Sequence, residues 1–435
     1  MPRMTIAVFV FSLLGAMALG MPIAYALLVC GLSLMAYMAS NGMINAFDSQ
    51  ILAQRFVDGA DNFPLLAVPF FLLAGEFMNA GGLSRRIVNL AMAWVGHFRG
   101  GLGYVAVMAA VIMASLSGSA VADTAALAAL LIPMMKRAGY NVGRSAGLIA
   151  SGGIIAPVIP PSIGFIIFGV AANVSITKLF LAGIVPGLLM GVAIGLTWWW
   201  VAKRESVQPG PRMKLAEKLQ ATRQGILALG LPVFIIGGMK FGVFTPTEAA
   251  VVAAVYSFVV GAFIYRELEW AKLYGLILAA GKTTSVIMFL VAAAMVSAWL
   301  ITVANIPAEV ARMMEPLMGN KTLLMVVLML LVIVVGTALD FTPTVLILTP
   351  VLMPLVIKAG IDPVYFGVLF IMNNAIGLIT PPVGTVLNVV CGVAKINMDT
   401  AFKGVLPFLW AQLSVLALLI AFPSIVIEPM KWMLR

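Results

Sequence analysis

The sequence predicts an all-α polytopic membrane protein made of two inverted repeats, each carrying a re-entrant hairpin and a broken helix. Three observations lead there: an apolar composition, a register shift of 221 residues between the halves, and a single basic interruption separating them. Of 435 residues, 63% are hydrophobic and 10% charged, whereas a soluble domain carries about 25% charged residues to solvate its surface. Apolar runs such as Ile6–Met38, Leu179–Ala202 and Phe402–Phe422 recur along the chain. A helix needs about 20 such residues to cross the hydrocarbon core. The apolar start runs too far to be a cleavable signal peptide.

The net charge of +10 is unevenly placed. Between Lys203 and Arg223 six bases (Lys203, Arg204, Arg212, Lys214, Lys218, Arg223) face two acids (Glu205, Glu217). Short basic loops stay in the cytoplasm. The 42–63 segment is instead acidic, with Asp48, Asp58 and Asp61 against Arg55. The charge therefore reads as a topology signal rather than a nucleic-acid footprint. Two cysteines in apolar runs, Cys30 and Cys391, suggest neither a disulfide framework nor a thiolate metal site, and the single His97 leaves little scope for metal or histidine catalysis.

The basic stretch 203–224, read as a cytoplasmic linker, divides the chain into repeats 1–202 and 225–435. Pro133, Ala138 and Gly139 fall on Pro354, Ala359 and Gly360; Pro160-Pro161 on Pro381-Pro382; Gly183 and Pro186 on Gly404 and Pro407. Every pair is 221 apart. Walking outward from the linker puts Arg85, Arg86, Arg99, Lys136, Arg137 and Arg144 in the cytoplasm and 42–63 in the periplasm. The halves then enter from opposite sides, an organisation typical of alternating-access transporters.

In order, the first repeat reads as membrane helices over 4–100, a hairpin over 101–144 with its tip at Ser115–Ser119, and a broken helix over 145–176. The second reads as helices over 225–320, with spans near 225–240, 247–265 and 274–303, then a hairpin over 321–358 with its tip at Gly336–Asp340. A broken helix over 363–395 and a last helix over 403–428 complete it. Tandem prolines remove amide donors and stop a continuous helix. Such unwound backbone is tolerated at membrane depth only where protein or a polar cavity satisfies it.

Two tips and two breaks would meet near the midplane. Carbonyls freed there, with the Ser117, Ser119, Thr337 and Thr380 hydroxyls, would give an alkali cation hard oxygen ligands. Half-helix N-termini would face an anionic group. The competing reading is that these small residues only allow close helix packing. Intramembrane acids are functional candidates by default. Asp123 and Asp340 either attract cations or hold a tip as caps do, the cap role being favoured. For Glu76, pairing with an Arg or a helix-end amide is favoured over proton carriage. Glu248, in Thr-Pro-x-Glu, reads as a helix start. No phosphate loop, dinucleotide fingerprint or nucleophile elbow occurs, so neither a cofactor nor enzymatic chemistry is expected.

Gly242-Val-Phe-Thr-Pro-Thr-Glu-Ala-Ala250, Ser117-Gly-Ser-Ala-Val-Ala-Asp-Thr-Ala125, Pro160-Pro-Ser-Ile163, Asp340-Phe-Thr-Pro-Thr344 and Ile379-Thr-Pro-Pro-Val-Gly384 together carry a resemblance over essentially the whole chain. They are similar to the large (M, DctM-type) subunit of tripartite ATP-independent periplasmic (TRAP) transporters. The resemblance implies an elevator carrier like those of the ion-transporter superfamily, in the bacterial inner membrane. It implies Na⁺-driven uptake of an organic acid brought by a periplasmic binding protein. It also implies a small four-helix membrane subunit, expected here as a separate chain. One Na⁺ site would lie between the tip Ser117, Gly118, Ser119 and the break Gly152, Gly153, Pro157. The second would lie between Gly336, Thr337, Thr342 and Gly377, Thr380. The alternatives are a stand-alone Na⁺/dicarboxylate carrier, a passive channel, or a membrane enzyme acting on lipid, for which no acid–base or metal cluster is visible.

Overall fold

The computed structural model describes residues 2–43, 47–204, 207 and 209–435, with the side chains of Pro2 and Arg3 left aside. Part of the acidic 42–63 segment and the linker residue Glu205 therefore lie outside the described residues. Among the described residues twenty α-helices follow one another. The first repeat holds α1 (Pro2–Ala18), α2 (Ile23–Ser40), α3 (Ser49–Ala60), α4 (Ala67–Ala80), α5 (Leu83–Val95), α6 (Gly101–Ser117), α7 (Ala120–Arg137), α8 (Val142–Gly153), α9 (Ile163–Ala172) and α10 (Ile176–Ala202). The second holds α11 (Leu215–Lys240), α12 (Pro246–Val259), α13 (Trp270–Val303), α14 (Ile306–Met313), α15 (Lys321–Ala338), α16 (Phe341–Lys358), α17 (Pro363–Gly377), α18 (Thr385–Ala394), α19 (Met398–Ala421) and α20 (Ser424–Leu434). Among the described residues nine helical stretches are long and apolar enough to cross a bilayer.

The 221-residue shift extends over nearly every element. It carries Ser49, where α3 starts, onto Trp270, where α13 starts; it carries both ends of α7 onto the ends of α16, and the start of α8 onto that of α17. One difference is informative. In the first repeat Asp61-Asn-Phe-Pro64 separates α3 from α4 through a 3₁₀ turn, Phe63–Leu66. The second repeat has Lys282-Thr-Thr-Ser285 there, no proline intervenes, and α13 continues unbroken for 34 residues.

Packing exchanges partners between the halves. Helix α4 lies on α12, and the counterpart of that pair, α13 on α2, also forms. Helix α8 lies on α19, matched by α17 on α10. The helices can be grouped as two interleaved bodies, α1–α5 with α11–α14 and α6–α10 with α15–α20, which pack on one another chiefly through α5 on α6 and through α13 and α14 on α16. Within the second body Gly143 and Gly147 of α8 approach the Thr400–Gly404 backbone so closely that a Cβ on Gly143 would lie 2.9 Å from the Thr400 carbonyl. At Gly147 the space is tighter still, taken by the Gly404 carbonyl and the Val405 amide. Gly147→Leu should therefore force α8 off α19, since overpacking a fixed core costs about 1–3 kcal/mol and often more. The expected outcome is loss of the monodisperse peak in fluorescence-detected size exclusion; Gly139→Ala, where the space is open, tests instead the cost of its positive φ.

Three boundaries differ from expectation. Helix α11 begins at Leu215, not 225, because Leu215-Ala-Glu-Lys-Leu is a sound helix former. It also closes a cap in which Lys214 N–H donates to the Glu217 carboxylate at 2.9 Å. The expected last helix is two, α19 and α20, since Pro423 interrupts the amide ladder. The second tip is shorter than read: α15 runs through Ala338, leaving Gly336 and Thr337 in its last turn.

Candidate functional site

Each hairpin is a pair of helices joined by a tight turn. At the first, Gly118 takes φ +63°, a left-handed conformation that L side chains rarely adopt. Ser119 then caps α7, its hydroxyl accepting from Ala122 N–H at 3.4 Å. The Ser117 hydroxyl accepts from the Ser119 amide at 3.1 Å and donates to the Asp123 carboxylate at 2.5 Å. Asp123 is 2% exposed and its second oxygen has no hydrogen-bond partner. The turn rests on the first break: a Cβ on Gly118 would lie 2.5 Å from the Pro161 carbonyl oxygen. Behind it, Gly153 leaves room for the Thr124 side chain, whose buried hydroxyl is likewise unpartnered.

The second hairpin is tied to its own break differently. The Val383 amide donates to the Thr337 carbonyl at 3.2 Å, and the Asn374 side-chain amide to the Phe341 carbonyl at 2.8 Å. Gly377 sits so near Gly336 that a Cβ would meet its carbonyl oxygen at 2.7 Å. Asp340 occupies the cap position of α16 and accepts from the Thr385 hydroxyl at 3.1 Å.

Both turns face one cleft of about 580 Å³. Its walls include Ser119 and Asp340, Ala120 and Phe341, Val121 and Thr342, Pro157 and Leu378. Each of these four couples is related by the 221 shift, so the cleft lies where the two repeats present the same positions to one another. The facing wall comes from the other body: Leu72 and Glu76 on α4, and Lys282, Thr283, Val286 and Ile287 on α13.

The family model described as "Tripartite ATP-independent periplasmic transporter, DctM component" matches residues 10–425. The chain belongs to the DctM family. Over 99% of its length and 100% of the relative's, it is 57% identical to the 2,3-diketo-L-gulonate TRAP transporter large permease protein YiaN of Escherichia coli (strain K12). It is 37% identical to the sialic acid TRAP transporter large permease protein SiaM of Vibrio cholerae (serotype O1), covering 95% of this chain and 96% of that one. The solved YdaH transporter of Alcanivorax borkumensis shares its fold, with a TM-score of 0.64 at 16% identity over 92% of this chain and 96% of that one. The DctM-family chain is thus a multi-pass membrane protein and a transport component, and the enzyme reading is set aside.

In this DctM-family protein the expected site residues divide into two groups. Gly118, Ser119, Pro157, Asp340, Thr342 and Glu76 line the cleft; Gly152, Gly153, Gly336 and Gly377 lie at the helix contacts behind it. The close-packing reading therefore describes the latter glycines as they stand. The Thr337 hydroxyl donates to the Val334 carbonyl at 2.8 Å and the Thr380 hydroxyl to Ile376 at 3.0 Å. Each hydroxyl gives its proton to its own helix, as in-helix threonines commonly do, and keeps its oxygen lone pairs available to a cation.

The acids also depart from expectation. Neither Asp123 nor Asp340 caps through its carboxylate, because Ser119 already serves α7 and Asp340 is drawn to Thr385. Glu76 has no hydrogen bond or ion pair among the described residues, so the expected Arg or amide partner is not formed. Glu248 behaves as read, its carboxylate accepting from the Thr245 amide at 2.8 Å. The residue that sequence reasoning missed is Lys282. A lone lysine in a long apolar helix carries no motif; its one signal was the shift, which places it on Asp61 at the α3–α4 break.

Proposed function

We propose that this chain is the permease of a Na⁺-coupled importer in the bacterial inner membrane, carrying a small organic acid handed over by a periplasmic binding protein. A small four-helix membrane subunit completes the assembly. The observation that carries the reading is the cleft built from equivalent positions of the two repeats. A solute there meets the N-terminal ends of α7 and α16, whose free amides favour an anion. The sugar acid in the name of the 57%-identical relative, 2,3-diketo-L-gulonate, is the first substrate to test.

One Na⁺ is assigned between the Ser117–Ser119 turn and the Gly152–Pro157 break, the other between Gly336–Thr342 and Gly377–Thr380. The second site draws on backbone carbonyls, on the Thr337, Thr342 and Thr380 hydroxyls, whose oxygen lone pairs stay available to a cation, and on Asp340. The two hairpins enter as re-entrant pairs from opposite faces, and the α6–α10/α15–α20 body moves as an elevator against the other. Uptake into proteoliposomes, with small subunit and binding protein supplied, is expected to follow an inward Na⁺ gradient and ignore ATP. Unchanged uptake with choline in place of Na⁺ would overturn the coupling. For orientation, reporters at Pro209 should label as cytoplasmic and those near Ala53 and after Arg435 as periplasmic. Pro209 outside would reverse it.

A further inference from the structure

Among the cleft-lining residues Lys282 is the only base, and it has no ion pair or hydrogen bond among the described residues. Glu76 lines the same wall, yet the two do not pair. A rise of 1.5 Å per residue puts Lys282 about 18 Å along α13 from Trp270 and about 12 Å beyond Tyr274. Both aromatics are exposed, at 63% and 77%, as interfacial anchors are. A lysine serving only as a membrane anchor would sit near such a belt and reach for headgroups. Lys282 instead lines the cleft, a mostly apolar space whose walls also hold Ser119, Asp340 and Thr342. Lys282 is exposed to that cleft, and an ionisable side chain within a membrane-spanning helix is a functional candidate by default.

We propose that the Lys282 ammonium holds the carboxylate of the transported acid in the cleft. The inference rests on the organic-acid reading above and names the residue that reads the anion. A charge-assisted hydrogen bond from Nζ to a carboxylate is short and roughly twice as strong as a neutral one. Here it would come from the wall opposite the hairpin turns, so the solute is bracketed by both bodies. With one base in the wall, one carboxylate is met by full charge.

The test uses the full assembly in proteoliposomes, with radiolabelled 2,3-diketo-L-gulonate and saturating binding protein. Lys282→Gln should lower the initial rate at least tenfold, while Lys282→Arg stays within about threefold of wild type. The Na⁺ concentration for half-maximal rate should be unchanged in both. Loss through misfolding is separated by Lys282→Cys in a Cys391→Ser background. Aminoethyl methanethiosulfonate, which restores a positive charge on that same protein, should recover most of the rate, whereas the anionic sulfonatoethyl reagent should not. Recovery by both reagents, or a wild-type rate in Lys282→Gln, overturns the role of Lys282 alone. A wild-type protein that carries no organic anion overturns the substrate reading, and this inference with it.

Discussion

Gly118→Val is expected to abolish Na⁺-driven uptake while leaving the protein in the membrane at near-normal amounts. Two costs combine at that position. A left-handed φ costs an L side chain roughly 1–2 kcal/mol, and more for a β-branched one. The added Cβ would also stand 2.5 Å from the Pro161 carbonyl oxygen and 3.1 Å from the Ile163 amide nitrogen. Either the α6–α7 turn lifts off the break or the break shifts, and in both cases the proposed first Na⁺ site is pulled apart. The strain is local to one turn, so a bundle of this size should still assemble. Gly118→Ala should fall between the two. Uptake in Gly118→Val at half the wild-type rate or more would show that the turn need not touch the break.

Asp123→Ala carries the second-largest expected effect. Its carboxyl oxygen accepts a hydrogen bond from the Ser117 hydroxyl, which in turn accepts from the Ser119 amide at the lip of the cleft. Leaving the buried Ser117 donor unsatisfied costs about 1–3 kcal/mol. The loss falls on the turn's geometry rather than on the core. A tenfold or larger drop in rate, with a raised Na⁺ requirement, is expected. Thr344→Ala at the equivalent position should do much less, since its hydroxyl only bonds the Asp340 carbonyl within α16. Equal effects of the two substitutions would contradict the asymmetry found between the hairpins.

Much of the architecture was written in the punctuation. Proline and glycine must recur where a duplicated backbone bends, so Pro160-Pro161 over Pro381-Pro382 revealed the repeat although most residues between them differ. Side-chain roles were harder to read, because equivalent positions hold different chemistry. Ser119 corresponds to Asp340, Gly153 to Asn374, and Asp61 to Lys282. Helix ends differ from expectation where the local sequence holds no stop: Gly336-Thr-Ala continues the hydrogen-bond ladder of α15, and the Thr337 hydroxyl donates within it. The cleft itself could not be read from the chain, since α4 and α13 come to it from a separate body.

Val121→Cys and Thr342→Cys, placed one at a time in a Cys391→Ser background, test the central claim most directly. These equivalent positions line the cleft from opposite repeats, while Cys30 is fully buried and silent. If the solute travels there, a membrane-impermeant thiol reagent should modify both positions and stop uptake in both. Substrate with Na⁺ should slow both modifications together. Labelling of only one position, or modification of both without effect on uptake, would contradict a shared path between the two repeats.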